Sequence, residues 1–320
     1  MTLINENIWR ERFKGWIVTE CAIRNSNILY FCVRKELSAK RLSSMWDSEI
    51  PTRIVAIYLH KPENPYGHAG VKGFNNPRIG IALSPKEQAI LSSCDENGDV
   101  FVVGSGDNWP MEEICKDGRW PSTQKLKCLF NQTWSVGEGR RIYKRTAIGQ
   151  WVPVMDGFPQ DIKEGEWGFN DIDAFSEDDM YTIGGSGDIW RYDGHQWNMC
   201  GFPSNEQLST VVCAPDGNVY IGGEGGNIWV GRNDTWRRVY EGHATILWNE
   251  MRWFEGELWL ASDYMLKVWD GKTLERPMDG DKPVVLSGHI DARDGILVVA
   301  GGYTIDLYDG KEWKSIMKPF

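Results

Sequence analysis

Two carboxylates, Asp171 and Glu250, each follow an asparagine in a similar frame, "FND" at 169–171 and "WNE" at 248–250. A pair of acids facing one cavity is the equipment of a glycosidase, one group donating a proton and the other acting as nucleophile or base. A third stretch, "FNQ" at 130–132, begins the same way with Asn131 and Gln132. Further acids, Asp107, Asp188, Glu224 and Asp263, stand in turn-forming stretches. If these positions share one rim with Asn170, Asn249, Arg252, Tyr264 and Tyr303, they form an acidic, amide-rich cup. Such a cup suits a cation, a sugar or a basic loop of another protein. The plainer account is that Asn and Asp at strand starts cap their own backbone.

No other constellation has catalytic spacing. His60 and His68 lie eight residues apart in one loop, too loose for a metal signature, and His195, His243 and His289 have no nucleophile beside them. The glycine-rich "GGSGD" (184–188) and "GGEGGN" (222–227) join strand to strand and open no helix, so they are not phosphate loops. Seven scattered cysteines without a C-x-x-C pair argue against a disulfide framework or a zinc site. Neither metal nor cofactor is expected.

What must position these residues is a repeat. Gly185, Gly223, Ser262 and Gly302 are spaced by 38, 39 and 40 residues, and Trp190, Trp229, Trp269 and Tyr308 by 39, 40 and 39. Trp197, Trp236 and Trp313 follow the same period. Each unit reads as four short strands. In 208–239 they are "LSTVVCA", "VYIGG", "IWVG" and "TWRRV", separated by turns that favour positive φ. "VYIGG" and "LWLAS" are too apolar for a solvated face and read as strands buried on both sides. Units of about 40 residues with four strands each are the signature of propeller blades.

The expected fold is therefore all-β, one domain over 1–320: a seven-bladed β-propeller with four-stranded antiparallel blades. The blades are placed at 16–83, 87–124, 127–155, 168–199, 206–240, 246–277 and 286–316. Ring closure has two routes at this stage, packing alone or a contribution from segment 5–15. Residues 35–52 read as a short amphipathic helix, and 60–88 as a Pro/Gly/Asn-rich loop. Added material is concentrated in the first two blades, and function grafted on a regular scaffold usually lives in such loops.

"EGHATILWNEMRWFEGELWLASDYMLKVWDG" (241–271) resembles a WD repeat, with Gly242-His243 ahead of the blade and Trp269-Asp270 at its end. "YTIGGSGDIWRYDGHQW" (181–197) is similar to a kelch motif. The likeness covers roughly residues 85–316, and neither signature recurs in every blade, so the chain resembles a divergent bacterial propeller. The resemblance implies protein binding without chemistry, and it implies a structural His243, hydrogen-bonded inside its blade.

Composition narrows the partners. A net charge of −10 removes the basic face that a nucleic-acid binder needs. No run approaches 18 apolar residues, and the N-terminus lacks a secretory pattern, so neither a membrane span nor export is expected. The expected setting is a reduced cytoplasm. Trp46, Trp109, Trp120 and Trp167 sit among polar loop residues, where tryptophan is over-represented at binding hot spots.

The function these features favour is non-catalytic capture of another protein by a chain that is a monomer on its own. Its most specific form is an immunity protein that neutralises a cognate bacterial toxin, with a basic toxin domain as the partner. A carbohydrate-active enzyme or lectin using the channel mouth is the rival, and a scaffold subunit the third reading. The candidate contact set is Asp107, Trp109, Asn131, Gln132, Trp167, Asn170, Asp171, Asp188, Glu224, Asn249, Glu250, Arg252, Asp263, Tyr264 and Tyr303.

Overall fold

The computed structural model describes residues 2–95, 98–115, 121–159 and 168–320. They form seven four-stranded antiparallel sheets. Blade one is β1 (Trp16–Asn25), β2 (Ile28–Lys35), β3 (Thr52–Tyr58) and β4 (Tyr66–Val71). Blade two is β5 (Arg78–Ala82), β6 (Gln88–Ser92), β7 (Asp99–Val103) and β8 (Glu112–Glu113). Blade three is β9 (Thr123–Leu129), β10 (Gln132–Gly137), β11 (Arg141–Ala147) and β12 (Gln150–Pro153). Blade four is β13 (Asp171–Ser176), β14 (Asp179–Gly184), β15 (Asp188–Tyr192) and β16 (Trp197–Met199). Blade five is β17 (Leu208–Cys213), β18 (Val219–Gly223), β19 (Ile228–Arg232) and β20 (Thr235–Tyr240). Blade six is β21 (Glu250–Phe254), β22 (Glu257–Ala261), β23 (Leu266–Trp269) and β24 (Leu274–Glu275), followed by a small hairpin, β25 (Met278–Asp279) and β26 (Lys282–Pro283). Blade seven is β27 (His289–Arg293), β28 (Ile296–Ala300), β29 (Ile305–Tyr308) and β30 (Trp313–Met317).

The first strands of all seven blades neighbour one another in a closed ring and line the central channel. We call the face where these strands start the upper face. Antiparallel order then puts the turns between second and third strands on the upper face too, and those between first and second, or third and fourth, on the lower face.

The second strands explain the apolar runs. Their side chains alternate between the two neighbouring blades. Val219 and Ile221 of β18 pack toward blade four, while Tyr220 between them packs toward blade six. The core is accordingly a set of wedges: among the described residues, a separate apolar cluster fills each of the seven blade junctions. Gly184 ends β14 because the backbone leading into blade four's own first strand passes close there: a Cβ would lie 1.8 Å from the Gly168 carbonyl oxygen. In the "PDGN" turn, Gly217 takes φ +84°, and Asp216 accepts the Asn218 amide at 2.9 Å.

Ring closure uses both routes. Blade seven is continuous in sequence, so no outer strand is exchanged between the chain ends. The Ile23 amide donates to Asp291 Oδ2 at 2.8 Å, and the Val18 amide to the Gly302 carbonyl at 2.9 Å. Ahead of blade one, the Ile4 amide donates to the Ile316 carbonyl at 2.9 Å, and Ile4 and Phe13 are buried in the seven–one junction.

The early blades are more regular than the sequence reading has them. Residues 78–82, placed at the end of blade one, form the innermost strand of blade two, and blade three begins at Thr123. The supposed loop 60–88 holds β4 and β5. β4 (YGHAGV) is a half-exposed outer strand, so burial imposes no apolar alternation on it. Segment 36–51 carries only a four-residue helix, Ala39–Leu42, and a short turn of 3-10 helix, Asp47–Glu49.

Candidate functional site

Seven inner strands bring one short segment from every blade to the channel wall. Acids on four of them share one geometry. Glu20 Oε2 accepts the Ile79 amide at 2.7 Å, and Asp171 Oδ2 accepts the Val211 amide at 3.0 Å and the Thr210 hydroxyl at 2.8 Å. Glu250 Oε2 accepts the Ile290 amide at 3.2 Å, and Asp291 accepts Ile23 across the closure. Each carboxylate thus takes an amide from the first strand of the next blade. Asp173 repeats the device one step down β13, accepting the Cys213 amide at 2.9 Å. Asp171 and Glu250, contact candidates in the sequence, staple neighbouring blades, and Asp171 also caps its own strand, its Oδ1 accepting the Ile172 amide at 2.9 Å.

Cations complete the wall. Lys125 Nζ lies 2.6 Å from Glu250 Oε1, Arg252 Nε donates to Asp291 Oδ1 at 2.8 Å, and Arg78 reaches Glu20 at 3.2 Å. Lys127 stands 3.8 Å from Asp171 and 4.0 Å from Asp173. His289 Nδ1 lies 3.0 Å from Glu250. Burial alone would raise the Glu250 carboxyl, but His289 and Lys125 outweigh it and hold the group well below its ordinary range. Burial alone would lower His289, and the charge and hydrogen bond of Glu250 raise it above 6.5. Arg252 is raised likewise by Asp291 and Glu250 against its burial. Lys125, Lys127 and His289 were missed as site residues. The alternation "TQKLKCL", with lysines two apart on an inner strand, is the signal that could have found the first two.

The candidates therefore separate into groups. Asp171, Glu250 and Arg252 belong to the channel wall, and the two acids are 1% and 3% exposed. Asp188 is also withdrawn: it pairs both oxygens with buried Arg140 at 2.9 Å and accepts the Trp190 indole N–H at 2.8 Å, tying blade three to blade four. On the upper rim stand Asn170, Asn249, Glu224, Asp263, Tyr264 and Tyr303. Asn170 donates to the Leu208 carbonyl at 2.6 Å and Asn249 to Asp263 at 2.7 Å. Glu224 and Asp263 are exposed, Tyr264 is 75% exposed, and Tyr303 donates to Glu36 Oε1 at 2.6 Å.

Four candidates lie on the opposite face. Phe130 and Asn131 are the left-handed residues of the β9–β10 turn, with φ +51° and +67°, and Gln132 opens the second strand of its blade. "FNQ" is thus not the start of an inner strand. Asp107 and Trp109 sit in the β7–β8 connection, where the Trp109 indole donates to the Gly104 carbonyl at 2.8 Å. Trp167 and Trp120 lie outside the described residues. His243, implied to bond inside its blade, is exposed; its neighbour Gly242 is the residue held, donating its amide to Asn227 Oδ1 at 2.9 Å.

The channel holds a cavity of about 290 Å³ lined by Lys127, Asp173, Arg252, Asp291 and Arg293, below a mouth of about 240 Å³ lined by Asn170, Gln207, Ser209, Leu247 and Asn249. Among the described residues, no group of three or more His, Cys, Asp or Glu side chains is placed to hold a metal ion.

No protein-family model matches the chain. The WD40 propeller domain of Doa1 superposes with a TM-score of 0.62 at 12% identity, over 89% of this chain and 90% of that one. YCF48, solved with a D1 peptide, gives 0.58 at 12% identity over 90% and 94%. These likenesses support the propeller fold. The Immune protein Tsi7 of Pseudomonas aeruginosa is 31% identical over 242 residues, 74% of this chain and 78% of that protein. At that identity and coverage, this chain belongs to the family of Immune protein Tsi7.

Proposed function

We propose that this chain is an immunity protein, a non-catalytic propeller that neutralises a cognate toxin by binding it on the upper face. The observation that carries the reading is its 31% identity to Immune protein Tsi7 across most of both chains. The chemistry of the upper rim supports it. The turns between second and third strands of blades three to seven expose Glu138, Glu224 and Asp263, and the single base in them, Arg140, is buried against Asp188. Tyr264 and Tyr303 stand in two of the same turns. Acids beside exposed tyrosines suit a basic segment of the toxin, through ion pairing and contact of cations with aromatic faces. Binding as a monomer in the cytoplasm is part of the proposal.

The buried acids speak against a glycosidase. Glu250 is held ionised, the wrong state for a general acid, and Asp171 commits Oδ2 to blade five and Oδ1 to the Ile172 amide of its own strand. The test is co-expression with the toxin encoded beside this chain, followed by co-purification. Rescue of growth and a stoichiometric complex are expected. A chain that neither rescues nor binds would sink the reading.

A further inference from the structure

Two cations of the channel keep unengaged donors. Lys127, one step down β9 from Lys125, faces the cavity of about 290 Å³ with its side chain 12% exposed. Its Nζ is shut off from solvent and makes no hydrogen bond among the described residues; its nearest acids, Asp171 and Asp173, stand 3.8 and 4.0 Å away. Arg293 lines the same cavity from blade seven, on the opposite side of the ring. Its Nε is buried and likewise without a hydrogen bond among the described residues. The guanidinium reaches across the channel to blade three. Burial pushes the Cys128 thiol up, and Arg293 pulls it back by its charge and by a hydrogen bond. The arginine head therefore arrives beside the strand that carries Lys127.

The acids of the wall do not absorb these donors. Asp291 gives Oδ2 to the Ile23 amide and Oδ1 to Arg252, and Asp173 gives Oδ2 to the Cys213 amide. Glu20 holds the Ile79 amide and Arg78, and Glu250 holds the Ile290 amide and Lys125. Asp171 holds blade five and the Ile172 amide. Among the described residues, every carboxylate oxygen of the wall except Asp173 Oδ1 is thus taken. Charge leans the same way. Arg78, Lys125, Lys127, Arg252 and Arg293 match the five acids in number, and protonated His289 adds a further positive charge. A chain of net charge −10 therefore encloses a channel that is slightly positive and has donors in surplus.

We propose that the lower channel binds a small oxyanion, of the phosphate or carboxylate class, between Lys127 and Arg293. Both donors carry full charge, so their hydrogen bonds to an anion are of the strong, charge-assisted kind. A guanidinium also offers parallel N–H groups to a pair of oxygens. A neutral sugar would accept the same hydrogen bonds and leave the positive charge unanswered. Glu224, Asp263, Tyr264 and Tyr303 do not line the cavity, so the site is independent of the immunity reading.

The probe is inorganic phosphate, titrated into the full-length chain by calorimetry at fixed ionic strength, with acetate as the carboxylate arm and chloride as the control. Saturable one-to-one binding of phosphate or acetate is expected, with chloride inert; whichever of the two binds more tightly gives the class of the ligand. Lys127→Met and Arg293→Met should each weaken that binding about 10-fold or more, the range for a lost charge-assisted hydrogen bond. Asp263→Lys on the rim should leave it unchanged. Should Lys127→Met fail to fold, Arg293→Met at the end of β27 makes the same test. Absence of saturable binding by both oxyanions, or an equal response to chloride, overturns the site. Wild-type affinity in the Lys127 and Arg293 variants that fold overturns it too, because the ion would then lie elsewhere.

Discussion

His289 and Glu250 form a pair whose two pKa shifts have opposite signs, and the pH dependence follows from them. The raised histidine contributes stability that is full below its ordinary 6.5 and lost as pH rises through its higher folded value. The lowered Glu250 contributes stability present above its ordinary 4.5 and lost as pH falls through its lower folded value. The contribution of the pair is thus greatest between about 4.5 and 6.5. His289→Gln is expected to flatten the fall in melting temperature from pH 6 to 9, measured by differential scanning fluorimetry; an unchanged slope would remove His289 from that role. Asp188 permits a sharper test of wall against contact residue. Asp188→Ala leaves the Arg140 charge buried without its carboxylate, a change that costs roughly 3–5 kcal/mol in such pairs. Chemical denaturation should show that loss. An Asp188→Ala protein with native stability but impaired toxin binding would return the residue to the contact set.

At the scale of elements, seam seven–one decides whether the ring stays shut. Every other junction is crossed by the chain itself, while this one relies on Asp291, Val18 and the N-terminal segment. Ile4 is fully buried there. Ile4→Ala should cost about 2–5 kcal/mol, the range for truncating a buried isoleucine. Hydrogen exchange should show the added opening concentrated in β1 and β27–β30. Uniform loss of protection across all seven blades would mean that the seam is no weaker than the others. The repeated acid-to-amide staple has a related consequence for reading such sequences. Its carboxylates recur at blade spacing and mimic a functional set, although in the wall each one is consumed by the following blade.

For the whole molecule, a net charge of −10 with acids around the mouth sets the kinetics of encounter. If the toxin presents a basic surface, its association rate should fall steeply as salt rises from about 0.05 to 0.5 M, since the Debye length shrinks from over ~10 Å to a few Å. The dissociation rate should change little. Stopped-flow measurement checks this, and an association rate indifferent to salt would remove steering by the acidic rim.

The propeller was legible before any coordinates. A second strand buried between two blades must be apolar on both faces, and it is bounded by turns that need positive φ, so "VYIGG" and "LWLAS" mark their blades without outside help. The irregular first blades were harder to read, because β4 is half exposed and carries no such pattern, and because "FNQ" copies the start of an inner strand while forming a lower turn. Among the candidate site residues, Glu224 and Asp263 stand on the upper rim where the turn pattern put them, while Asp107, read from the same pattern, stands on the lower face. The sequence by itself determined the blade repeat, since burial writes itself into local residue types. Only the tertiary structure decided which acids are free, because the amide that consumes Asp171 or Glu250 lies 40 residues away, in the neighbouring blade.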